Sequence, residues 1–385
     1  MNTEAPGTTS GTAPHTRPVD APRTTVLGAV AAEHAGRTEA ARRLPDPVVD
    51  ALRDAGFARH LVPTRWGGTD GSHTALLHAV AEIGESCAST AWNAAVYAIV
   101  GRMVSHLPER GLAELWGGAA GADELLAASI APSGQVSRTR DGYRLSGTWP
   151  FASGVDHAAW TLLGALTPER EYRFFLVPRD HYRIGDTWDN VGLAGTGSHS
   201  VTLDDVAVPD HRTCAQADLM RGAVGAGPDR VPFKTVNGLT FVAPVLGAAR
   251  SALRACAERA ANRTEVTGGA ARANPVVQDA LTRAGARIDA AQLLLERAAA
   301  VADAGTPDAT ARARAPRDFA YAAELLADAV DLLFRTGGAR GQHVADPVQR
   351  AWRDVHCAAG HAVLQFGSTV ATYSTHLMDG AHHHA

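Results

Sequence analysis

The sequence predicts an α+β chain in which helices come first, a small antiparallel β domain follows, and a helical bundle closes the molecule. Three observations carry this reading. Before about residue 125 apolar residues recur at helical spacing; from about 126 to 210 the pattern changes to short alternating runs cut by Gly, Pro and Asp; beyond about 233 long amphipathic stretches return. At 385 residues the chain exceeds what one core usually serves, so two or three parts around a shared interior are expected.

Residues 1–24 are rich in Thr, Pro, Gly and Ala without an apolar stretch, and read as a disordered arm instead of a signal peptide. The N-terminal helical domain is assigned to 25–125. Within it Asp46-Pro47 is a cap followed by a first-turn proline, Val48, Leu52 and Ala55 recur at helical spacing, and Gly56 stops the turn. A second helical stretch covers roughly 74–105. The middle β domain is assigned to 126–232, with alternating runs at 142–149, 158–165, 171–177 and 199–208. The bundle is assigned to 233–378. There Asn274-Pro275 opens a helix whose Val277, Leu281, Ala284, Ile288 and Leu295 share a stripe up to Gly305; Asp318 to Arg335 forms another, and Asp346-Pro347 opens the last, read as running on beyond His361. Residues 379–385, with consecutive histidines at 382–384, read as a flexible tail.

Composition narrows the function by exclusion. Charged residues are 20% and the formal charge is −4, which gives no electrostatic case for nucleic acid or an anionic membrane surface, and no apolar run approaches the ~20 residues of a membrane span. The four cysteines are widely spaced without a CxxC, a pattern of reduced thiols and of a cytoplasmic protein. There is no GxSxG elbow, no HExxH, and Gly192–Ser198 lacks the Lys of a phosphate-binding loop.

On the last helix, at about 100° per residue, Trp352, His356, Ala359, Val363, Phe366 and Val370 share an apolar stripe, while Arg350, Asp354, Cys357, His361, Ser368 and Thr372 share a polar one. His356 and His361, five apart, point in different directions, so a metal pair is not expected. His356 reads as a packed core residue. His361 is open to solvent or to a ligand cavity, and the small residues around it favour the cavity. Ser153, in Trp149-Pro-Phe-Ala-Ser-Gly154, follows a strand-like run and by itself reads equally as a turn serine.

Taken together, Trp149–Gly154, Gly192-Leu-Ala-Gly-Thr-Gly-Ser198, Val208-Pro209 and Arg350-Ala-Trp-Arg-Asp-Val-His-Cys-Ala-Ala-Gly-His361 resemble the acyl-CoA dehydrogenase superfamily, and within it the two-component flavin-dependent monooxygenase branch. The resemblance spans about residues 25–378. It implies an N-terminal α-helical domain, a middle antiparallel β-barrel domain and a C-terminal four-helix bundle, assembled as a homotetramer. It further implies reduced FMN or FAD with O2 as co-substrate, a separate NAD(P)H:flavin reductase as partner, and hydroxylation of a phenolic or other aromatic small molecule through a flavin C4a-hydroperoxide. An N-oxygenase acting on an amine or amino sugar is the alternative, and an acyl-CoA dehydrogenase or a non-catalytic flavin-binding homologue stands further back.

The resemblance also assigns roles. His361 becomes the base toward substrate and Ser153 the residue at the reactive edge of the flavin ring. Trp92, Asn93, Ser129, Thr196 and Ser198 become flavin or ligand contacts; Arg263, Gly337 and Gly338 reach a neighbouring subunit's flavin. A dehydrogenase of this superfamily needs a carboxylate to take the α-proton of its thioester. The two positions where relatives carry it are empty, since the residue nine beyond Arg353 is Ala362 and 231–257 contains neither Asp nor Glu.

Overall fold

Residues 21–222, 231–262 and 271–382 are described in the computed structural model. Five helices come first: α1 (Thr24–Ala41), α2 (Asp46–Ala55), α3 (His73–Ser86), α4 (Ala88–Val104) and α5 (Glu109–Trp116). Pro47 lies in the first turn of α2, where no intrahelical partner is lost by its missing N–H, and Gly56 ends that helix at a left-handed φ of 81°. The helical stretch expected over about 74–105 is two helices, because Cys87 is extended at φ −157° between α3 and α4. Every residue from Ala88 to Val104 is buried, so α4 is a central helix with no solvent face.

Eight strands follow: β1 (Leu126–Ser129), β2 (Gln135–Arg138), β3 (Gly142–Ala152), β4 (Trp160–Leu166), β5 (Tyr172–Pro178), β6 (Arg183–Gly185), β7 (His199–Pro209) and β8 (Thr213–Ala215). They form two four-stranded sheets, ordered β1-β4-β5-β8 and β2-β3-β7-β6. The expectation of a wholly antiparallel domain is corrected at one pair: β1 runs parallel to β4, with Leu126 opposite Trp160. Between them β2 and β3 cross to the second sheet, and the chain comes back in its original direction. The four longer strands are the alternating runs of the sequence; the other four, of three or four residues, are too short for alternation to show. Leu145, Trp149, Phe175 and Val201 fill the space between strands as a second core.

After α6 (Gln216–Arg221) the bundle is made by α7 (Asn237–Asn262), α8 (Pro275–Asp303), α9 (Ala309–Arg335) and α10 (Pro347–Ala359), with α11 (Val370–His382) at the end. By composition α7 is long and apolar enough to cross a membrane, but 72% of its most apolar window is buried inside this chain. Its apolarity is that of a core helix. It crosses α3 closely enough that a Cβ on Gly84 would stand 2.2 Å from the Pro244 carbonyl, and one on Gly247 2.0 Å from that of Ala81. Glycine is required at both points of the crossing.

Two readings of the bundle change. Asp318 does not start a helix; α9 begins at Ala309 and carries Asp318 buried in its body, paired with Arg297 and Arg317. The last helix does not run past His361. It stops at Ala359, and two short 3-10 turns, Ala362–Leu364 and Phe366–Ser368, lead to α11. His361 is extended at φ −66°, ψ 135°, and its Nδ1 accepts the backbone N–H of Val363 at 3.2 Å, capping the turn. No helical stripe can therefore contain both Asp354 and His361.

Candidate active site

The segment Trp149–Gly154 is fixed from behind. Trp149 is fully buried and donates from Nε1 to the Gly164 carbonyl at 2.7 Å, while a Cβ on Gly134 would meet its ring at 2.4 Å. Phe151 then takes a left-handed φ of 64°, unusual for a bulky residue, and Gly154 follows at φ 70°. Tyr97 of α4 donates to the Gly154 carbonyl at 2.8 Å. A side chain on Gly154 would collide with that hydroxyl, so the Ser-Gly turn is required for contact with α4.

This backbone aims the Ser153 hydroxyl inward, where the residue is 8% exposed. Trp92 Nε1 donates to Ser153 Oγ at 3.1 Å; Ser153 Oγ lies 2.7 Å from Ser198 Oγ, and Ser198 Oγ lies 2.7 Å from Thr196 Oγ1. Four residues named from the sequence, Trp92, Ser153, Thr196 and Ser198, thus form one hydrogen-bonded row contributed by α4, the end of β3 and the Gly192–Ser198 loop. Ser129 is nearby through its bond to the Pro150 carbonyl at 2.6 Å, which holds the strand before Phe151. Asn93 is buried at 1%, and its Oδ1 has no hydrogen-bond partner among the described residues.

His361 arrives from the opposite side. Its ring stacks on Phe241 of α7 at 3.9 Å and 24°, and stands edge-on to Trp92 at 6.0 Å; Trp92 and Phe241 are themselves 5.1 Å apart. The tertiary structure therefore brings His361 to the indole that holds Ser153. Burial lowers the His361 pKa from 6.5 to about 4, so the imidazole is neutral at physiological pH and has the capacity to take up a proton. His361 thus lies on no helix face, contrary to the polar stripe expected of the last helix, yet it stands beside Ser153's partner. His356, expected in the core, is half-exposed on α10, its side chain 39% accessible and 3.0 Å from Asp331.

Gly337 and Gly338 share no hydrogen bond or ring contact with this group. They lie where α9 ends; a Cβ on Gly337 would meet Gly341 and Arg259, and one on Gly338, at φ 56°, would stand in open space. Arg263 lies outside the described residues. The residues that reasoning from sequence missed are Phe241, hidden inside the apolar run of α7, and Tyr97, hidden in the all-buried α4.

The assembly fits a flavin. A tricyclic ring needs a flat apolar wall and polar atoms that address its edge, and Trp92, the hydroxyls of Ser153 and Ser198, and the unpaired acceptor of Asn93 have that chemistry.

The low His361 pKa also makes a stability prediction. Between about pH 6.5 and 4 the unfolded chain binds a proton that the folded chain refuses, so stability is full above 6.5 and falls as pH drops toward 4. His73, fully buried and lowered to about 3, acts in the same sense, whereas Asp354, raised to about 6, acts in the opposite one. Replacing His361 with Ala should remove on the order of 1–2 kcal/mol of the loss between pH 7 and pH 5. Urea unfolding of both proteins at the two pH values measures it; equal losses would refute the buried-neutral state.

Comparison with known proteins agrees with the geometry. The family models for the acyl-CoA dehydrogenase N-terminal domain and C-terminal domain match residues 19–109 and 239–366. The oxygenase subunit HsaA of a flavin-dependent monooxygenase from Rhodococcus jostii is 34% identical over 89% of this chain and 94% of its own length. The oxygenase component of an FADH2-dependent resorcinol hydroxylase from Rhizobium is also 34% identical, over 86% of this chain and 87% of its own. XiaF from Streptomyces, solved with FADH2 and glycerol, superposes with a TM-score of 0.86 at 28% identity, covering 92% and 93% of the two chains. The chain therefore belongs to the acyl-CoA dehydrogenase superfamily, in its branch of flavin-dependent monooxygenase oxygenase components.

Proposed function

We propose that this enzyme hydroxylates a phenolic or closely related aromatic small molecule, with His361 as the base toward substrate and Ser153 at the edge of the flavin ring. The observation that carries the reading is the neutral, buried imidazole of His361 stacked on Phe241 and set against the Trp92 that bonds Ser153. Reduced flavin, delivered by a separate reductase, supplies when bound the electrons that divide O2 between substrate and water.

The chain's own part is positional and acid–base. Phe241 and Trp92 offer aromatic faces against which a flat substrate lies, and His361 takes the phenolic proton as the ring carbon gains oxygen. Burial keeps the imidazole unprotonated and free to accept the proton in step with oxygen transfer, which needs no free phenolate. Ser153 is held from one side by the Trp92 N–H and from the other by Ser198, so its hydroxyl keeps one orientation without reorganising during the reaction. The buried walls of α4 and α7 exclude bulk water, which favours oxygen transfer over release of hydrogen peroxide.

We further propose that the active form is at least a dimer and, from its bundle faces, a tetramer, with Arg263, Gly337 and Gly338 serving a neighbour's flavin. One experiment addresses both points. Fractions from sizing chromatography are mixed with reduced FMN or FAD, oxygen and a panel of phenols and aromatic amines, and product is measured. Phenol hydroxylation confined to the oligomeric fraction is expected. Conversion of amines alone would overturn the substrate class, and a fully active monomer would overturn the assembly.

A further inference from the structure

The direction of the hydroxyl row follows from its ends. Trp92 Nε1–H only donates, and the Leu193 carbonyl at the other end only accepts, receiving Thr196 Oγ1–H at 2.8 Å. Each hydroxyl has one proton. With Thr196's committed to Leu193, the 2.7 Å contact between Thr196 and Ser198 requires Ser198 to donate, and the 2.7 Å contact between Ser198 and Ser153 requires Ser153 to donate. Ser153 then has a lone pair left over and no proton.

That polarity depends on where Leu193 is held. Leu193 occupies a left-handed φ of 51°, a conformation a branched side chain keeps only when its surroundings enforce it. Its carbonyl also receives the Trp188 Nε1–H at 3.0 Å, and its own N–H donates at 2.6 Å to the carboxylate of Asp354, 8% exposed in the middle of α10. The neighbouring Arg353 donates to the Val191 carbonyl at 2.6 Å, and a Cβ on Gly192 would stand 2.1 Å from the Arg353 carbonyl. The groups around Asp354 are Arg353 and Arg350, which favour its charge, and Glu39, which opposes it.

We infer that Asp354 is a positioning residue that, by pinning Leu193, orients the hydroxyls of Thr196, Ser198 and Ser153 so that Ser153 is an acceptor, and that this acceptor makes the site prefer reduced over oxidised flavin. The chemical reason lies in the ring. Reduced flavin has an N–H at N5, which a lone pair accepts, whereas oxidised flavin has a lone pair there, which an acceptor repels. The inference rests on the proposed placement of Ser153 at the flavin edge.

Anaerobic titration calorimetry with oxidised and reduced FMN tests it on the full-length protein, using the ratio of the two dissociation constants. Asp354→Ala should shrink the wild-type ratio by about tenfold, chiefly by weakening reduced FMN, and Thr196→Val, which removes the last two bonds of the row, should do the same. Asp354→Asn retains an oxygen acceptor for the Leu193 N–H and should restore the ratio. In a Ser153→Ala background Asp354→Ala should add nothing further, as expected for two residues in one network. Equal weakening of both flavins by Asp354→Ala and Thr196→Val, or a further effect of Asp354→Ala on the ratio without Ser153, would overturn the inference. If Ser153→Ala alone left the ratio unchanged, the placement of Ser153 itself would fail.

Discussion

His361→Ala should lower the rate of substrate hydroxylation by about 10²–10⁴, the usual cost of removing an acid–base group, while the protein still folds and still consumes reduced flavin. The imidazole is stacked on Phe241 and accepts the Val363 N–H, but it caps a 3-10 turn instead of standing inside a helix, so its loss leaves the bundle helices intact. Hydrogen peroxide should take the place of product, since oxygen activation does not need the substrate's proton. Measuring product and peroxide per reduced flavin oxidised separates the two effects. His356→Ala provides the contrast. Its pair with Asp331 is half-exposed, so the expected cost is below about 1 kcal/mol of stability, with coupling unchanged. Wild-type coupling in His361→Ala together with its loss in His356→Ala would reassign the base.

Ser153→Ala should have the second largest effect, and of a different kind. Removing the hydroxyl leaves the Trp92 N–H without its acceptor and Ser198 without its donor inside a buried row, which costs about 1–3 kcal/mol in the ordering of the site. Peroxide release should therefore rise by about tenfold or more even when no substrate is present, whereas in His361→Ala the excess should appear only with substrate added. Stopped-flow oxidation of reduced flavin with and without a phenol distinguishes them. If Ser153→Ala matched the wild-type rate of peroxide release without substrate, the hydroxyl would have no role at the flavin edge.

The sequence alone determined the order of helix, sheet and bundle, because periodicities of 3.6 and 2 are local properties that survive in any context. Its motifs singled out Ser153, Thr196, Ser198 and His361, and the family resemblance added Trp92 and Asn93. It could not give the path of the chain around them. Alternation placed β3 and β7 but not β1, whose parallel pairing with β4 is decided by a crossover that spans residues 130–159. The cap–proline pairs Asn274-Pro275 and Asp346-Pro347 placed the starts of two bundle helices correctly, since a capping side chain and a first-turn proline act within four residues.

Where the sequence misled, the cause was a competition that only packing settles. Gly360, just before His361, is a local stop signal that the apolar stripe running on to Val370 outweighs in the sequence pattern; the helix ends at Ala359, and an extended His361 caps the next turn and stacks on Phe241, more than a hundred positions earlier. Likewise the value of Asp354 lies in one bond to Leu193, 161 residues away. Local periodicity determined which residues are polar and which are buried, whereas the tertiary structure decided which of them meet, because a hydroxyl row, a stacked imidazole and a strained loop are held by partners that no short window of sequence contains.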